Sequence, residues 1–135
     1  MLRNILAIIA GLVSWVLVVT VLNWMLRATL PGYSEAEPAM SFSLGMQLAR
    51  LLIAALSSIT AGIIVRAIAP SAHWAPWILG GVLVAVFVPV HWQLWQKFPL
   101  WYHLTFLVTL IPLTVLGASL SSRGRGRAAR VRFNH

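Results

Sequence analysis

Four apolar runs, each close to the ~20 residues needed to cross a ~30 Å hydrocarbon core, decide what this chain can fold into: Ile5 to Leu26, Leu44 to Ile68, Trp77 to Leu94 and Leu100 to Leu120. A backbone in lipid must satisfy its own hydrogen bonds, so runs of this length and polarity are helices. With 60% hydrophobic and 9% charged residues, against roughly 25% charged in soluble domains, the sequence predicts an all-α integral membrane protein. The expected architecture is a single four-helix transmembrane bundle over residues 1–120, up-down-up-down, followed by a basic tail over 121–135. The connections leave no room for a soluble catalytic domain. The absence of cysteine excludes disulfides, thiolate metal sites and a cysteine nucleophile. The first run is too long for a signal peptide and lacks a cleavage motif, so it is read as a retained span.

Basic residues set the expected orientation. Arg3, Arg66 and the tail arginines Arg123, Arg125, Arg127, Arg130 and Arg132 fall on the side of both termini, against Arg27 and Lys97 opposite. Both termini are therefore expected in the cytoplasm of a bacterial inner membrane. The tail is expected to be disordered in isolation and to touch anionic lipid, at ~1 kcal/mol per residue. It has no aromatic platform or fold for nucleic acid.

Only one charge sits well inside a span. Arg50, in the second run, costs ~2.5 to 3.5 kcal/mol on insertion scales and must be answered by something. Helical spacing puts Ser43, Gln47, Arg50, Ala54, Ser57 and Ala61 on one face. The chain's only two carboxylates, Glu35 and Glu37, are the expected partners, with snorkelling to the headgroups and a ligand-facing role as the other readings. His91 and His103, at the ends of neighbouring spans, join Glu35, Glu37, Gln47 and Arg50 in one polar cluster at one membrane face. His73, in the turn between the second and third runs, reads as a solvated surface histidine.

Small residues mark where helices approach closely. Gly11 in the first span, the row Ala54, Ser58 and Gly62 in the second, and Gly81 with Ala85 in the third are the expected packing positions. The second span should be central. Pro89 should bring a kink or a bound polar partner to the third span, and Pro112 frees the Val108 carbonyl in the fourth, where Thr105, Thr109 and Thr114 can satisfy displaced backbone groups.

The segment PLWYHLTFLVTLIPLTVLGASL and the opening MLRNILAIIAGLVSW resemble the closing and opening segments of a family of small, functionally uncharacterised four-span bacterial inner-membrane proteins. The resemblance implies the four-helix architecture and that membrane, and it carries over no activity. Four-span multidrug exchangers depend on a first-span glutamate, and this first span has no carboxylate.

No hydrolytic triad, phosphate loop or paired intramembrane carboxylates are present, so a non-enzymatic protein is expected, with no cofactor. The leading expectation is an accessory, assembly or stabilising subunit packed against other membrane subunits or copies of itself. The alternatives are a small transporter or lipid- or anion-binding protein with a polar pocket around Arg50, and a haem or quinone redox module using His91 and His103.

Overall fold

The computed structural model describes residues 1–133, with the side chains of 125, 126, 128, 129 and 133 left aside. It is all helical among those residues: α1 (Leu2–Thr29), the one-turn α2 (Tyr33–Ala36), α3 (Leu44–Ile68), α4 (Ala75–Gln93) and α5 (Leu100–Phe133). The four long helices are each long and apolar enough to cross a membrane, so the chain is a multi-pass membrane protein with the expected four-helix bundle. Ser43 opens α3 as an N-cap, its hydroxyl accepting from the Met46 amide.

The helices do not pack in chain order. α3 lies against α5 and α1 most extensively, α4 against α5, and the consecutive α3 and α4 barely touch. The second span is central, as its small-residue rows imply. Gly62 faces the backbone of Thr114 and of Ala118, whose amide nitrogen would lie 2.9 Å from an added Cβ. Gly117 in turn abuts the backbone of Ile59. Without hydrophobic driving force inside lipid, this close approach of two backbones is what holds parallel α3 and α5 together. Gly11 seats the side chains of Leu79 and Val65.

The third span corrects the expected packing row. Gly81 has no atom within 4 Å of its would-be Cβ, and it is exposed together with Ala85 and Pro89. The buried face runs through Leu79, Gly80 and Leu83, one residue and therefore 100° away, with Gly80 against Ile111.

The core is completed by Trp15, which packs its ring on Phe87 and donates Nε1–H to the Ser58 hydroxyl at 3.0 Å. Ser58 passes its own proton to the Ala54 carbonyl. Trp15→Phe keeps the ring and deletes the donor, so a loss of about 0.6 to 1.7 kcal/mol is expected. Detergent unfolding of the variant checks this, and no loss would mean that the bond to Ala54 alone satisfies Ser58.

At the end of the bundle bearing the N-terminus, the carbonyls left open by the end of α3 are answered by cations. Arg3 Nε donates to the Ile68 carbonyl at 2.5 Å, and Arg66 Nη1 donates to Pro70 O at 3.3 Å. Arg66 Nη1 also meets His73 Nδ1 at 2.8 Å. A guanidinium only donates, so Nδ1 accepts and the ring is held as the Nε2–H form. His73 is thus exposed but not free, because its position four residues past the Ala69 C-cap of α3 puts it within reach of Arg66.

The expected disordered tail is also corrected. α5 continues unbroken through the arginine-rich segment to Phe133, because arginine and alanine are good helix formers and the preceding span supplies the nucleus. Residues 134 and 135 lie outside the described residues.

Candidate functional site: an arginine in an aromatic cage beside a cavity

Arg50 enters from α3 at the opposite end of the bundle, where the connections 30–43 and 94–99 meet. Tyr33, Phe42, Phe98 and Tyr102 form a second buried core there. Their rings stack in sequence: Tyr33 on Phe42 at 5.2 Å, Phe42 on Phe98 at 5.9 Å and Phe98 on Tyr102 at 4.3 Å. The guanidinium carbon lies 4.7 Å from the Phe42 centroid and 6.0 Å from that of Phe98, within the range of cation–π attraction. At either end of the ladder a phenol oxygen accepts from it, Tyr33 from Nη1 at 2.7 Å and Tyr102 from Nε at 3.3 Å. Tyr33 hands its proton to Asn23 Oδ1 at 2.6 Å.

The expected carboxylate partners are elsewhere. Glu37 is held by Arg27, at 2.6 Å from Nη2 and 2.8 Å from Nε, and accepts from Asn23 Nδ2 at 3.4 Å. Glu35 is exposed and forms no ion pair among the described residues. Gln47 donates to the Phe42 carbonyl at 3.3 Å, bracing the connection rather than joining Arg50. Hydroxyls and ring faces are neutral, so Arg50 keeps its full positive charge. Its Nη2 makes no hydrogen bond among the described residues.

Beside Arg50 lies a cavity of about 300 Å³, at the small end of the range for ligand pockets. α1 and α4 touch where Gly11 meets Leu79 and Trp15 meets Phe87. Beyond that point the cavity separates them. Asn23, Arg27, Arg50, His91 and Tyr102 are among its polar lining, and Val19, Ile53, Leu94 and Phe106 are among its apolar walls. Trp24 and Val90, also in the lining, are exposed on the flank of the bundle.

His91 and His103 are brought together, but on each other. Their Nδ1 atoms are 2.6 Å apart, and His103 Nε2 meets the Trp95 carbonyl at 3.3 Å. Two imidazole nitrogens on one metal at ~2.0 to 2.1 Å and a tetrahedral angle would lie ~3.3 Å apart. The pair as arranged is a hydrogen-bonded dyad, closer than two ligands of one tetrahedral metal would stand. Among the described residues no group of three metal-binding side chains exists.

Of the expected cluster, the structure places Arg50 and His91 in the cavity lining with His103 bonded to His91, and leaves out Glu35, Glu37 and Gln47. Tyr33, Tyr102, Asn23 and Arg27 are the members that sequence reasoning missed. A buried cation without a carboxylate in its own helices needs hydroxyl acceptors, and this chain's two tyrosines both lie within one short connection or first turn of the same end.

Comparison with known proteins gives no family model that matches the chain, and no curated protein or solved structure similar to it.

Proposed function

We propose that this is a non-enzymatic protein of the bacterial inner membrane that binds an anionic amphiphile, head on Arg50 and chain passing out between α1 and α4. One observation carries the reading: a cation caged by neutral groups beside a cavity lined by both polar and apolar side chains. Arg27 and Arg50 against Glu37 leave one net positive charge there. In a low-dielectric site such a charge attracts an anion far more strongly than in water. The arginines near the termini favour a cytoplasmic location for both chain ends, which puts the cavity in the outer leaflet and the exposed Arg123, Arg127, Arg130 and Arg132 beside inner-leaflet anionic lipid.

The test compares lysophosphatidylglycerol, zwitterionic lysophosphatidylcholine and inorganic phosphate as additives to protein in maltoside micelles. Wild type should be stabilised by the first alone, by about 2.7 kcal/mol at a hundredfold excess over Kd. Arg50→Gln should lose that gain. Equal stabilisation by the zwitterion, stabilisation by phosphate alone, or an unchanged response in Arg50→Gln would sink the reading.

A second reading, an accessory subunit or self-assembling partner, is favoured by the exposed row Gly81, Ala85 and Pro89 on α4. Such a face lets a further helix approach closely. Native mass spectrometry from mild detergent distinguishes the two, reporting co-isolated lipid or co-isolated protein.

A further inference from the structure

We infer that the His91–His103 dyad holds one proton for the cavity, so that the anionic amphiphile binds together with a proton taken from water. The inference rests on the reading of the cavity as an anion site.

A carbonyl oxygen only accepts, so the contact with Trp95 requires a hydrogen on His103 Nε2. Neutral His103 then has a bare Nδ1. At 2.6 Å the two Nδ1 atoms must have a single hydrogen between them, and it belongs to His91. Neutral His91 therefore has a bare Nε2, an acceptor on a residue that lines the cavity. His91 is 5% exposed, and this nitrogen has no partner among the described residues and is not fully enclosed.

The dyad can take up one more proton and no more. Protonation at His91 Nε2 breaks no existing bond and turns the acceptor into a donor. Protonating His103 Nδ1 as well would set two N–H groups against each other across 2.6 Å. The only open place for the extra proton is therefore on His91, in the cavity lining.

The surroundings decide when that proton arrives. α5 presents Tyr102 and His103, α3 presents Arg50, and α1 presents Arg27 and Asn23. Tyr33 and Glu37 stand behind them, Glu37 already held by Arg27. No carboxylate lines the cavity. With the cavity empty, Arg50, among the described residues the one charge there without a carboxylate, opposes a second net positive charge. An anion on Arg50 removes that opposition and adds an acceptor for the new Nε2–H, so proton and anion each raise the affinity of the other by the same factor.

Lysophosphatidylglycerol carries one negative charge throughout pH 5 to 8, so its own titration does not enter. Its Kd for wild type should tighten by about tenfold between pH 8 and pH 6. His91→Gln should bind with the weaker affinity at both values. Calorimetry of wild type in two buffers of different ionisation enthalpy should report net proton uptake on binding near neutral pH, a readout independent of whether the variant folds. Binding with a flat pH profile and no proton uptake overturns the dyad's role and leaves the anion site standing. A pH profile that persists in His91→Gln also overturns it. Failure of wild type to bind the lipid at any pH overturns both.

Discussion

Gly62→Ala should cost the bundle more than about 3 kcal/mol, the upper end of what overpacking does. Most inserted methyls are accommodated by a neighbouring side chain that turns away. Here the atoms met are backbone: the Thr114 carbonyl, and the Ala118 amide nitrogen at 2.9 Å. Nothing can rotate, so α3 and α5 must separate along their contact, and the reciprocal seat of Gly117 on Ile59 opens with it. Gly81→Ala is the matched control. It adds the same methyl to open space and should be neutral or gain up to ~1 kcal/mol from helix propensity. Unfolding of both variants by dodecyl sulfate titration in maltoside, followed by circular dichroism, gives the comparison. Equal midpoints for the two would show that the α3–α5 contact does not hold the bundle.

Tyr33→Phe is expected to cost about 2 to 4 kcal/mol, although it removes one oxygen and leaves the ring stack intact. That oxygen accepts from Arg50 Nη1 and donates to Asn23 Oδ1. Its loss strands a charged donor and an amide acceptor at a half-buried site. Most of the cost is the stranded charge rather than the lost bond. Arg50→Met, which takes the charge away and keeps an apolar chain against Phe42 and Phe98, should therefore be milder than Tyr33→Phe. In the double variant most of the Tyr33→Phe cost should vanish. A double-mutant cycle by the same titration measures this, and additive effects would mean that Tyr33 acts through packing alone.

How much of this was legible in the sequence differs from element to element. The spans were, because an apolar run of twenty residues has one solution in lipid. α3 starts and ends where its hydropathy does, at Leu44 and Ile68. The site of Arg50 was legible for the same reason, since a lone charge in such a run is conspicuous. Its partner was not. Charge complementarity pointed to Glu35 and Glu37, but Arg27, in the last turn of α1 and ten residues before Glu37, claims it. The answering hydroxyls come from Tyr33 and from Tyr102, the latter fifty-two residues away in sequence. That distance is bridged by tertiary packing, which leaves no local pattern. The packing face of α4 was missed by one residue because the helix is apolar all round. With Gly80 and Gly81 adjacent, small-residue spacing alone allows either row. The helical tail was missed because a run of arginines reads as solvated chain when the span that nucleates it is set aside.

α5 runs unbroken for 34 residues, ~51 Å at 1.5 Å per residue, well beyond a ~30 Å hydrocarbon core. Its first turn carries Tyr102 and His103, which grip the cavity, and its last turns carry Arg127, Arg130 and Arg132. The two chemistries are thus mounted on one shaft, with Pro112 inside it. One continuous helix therefore fixes how far apart the tyrosine end and the arginine end can stand across the bilayer.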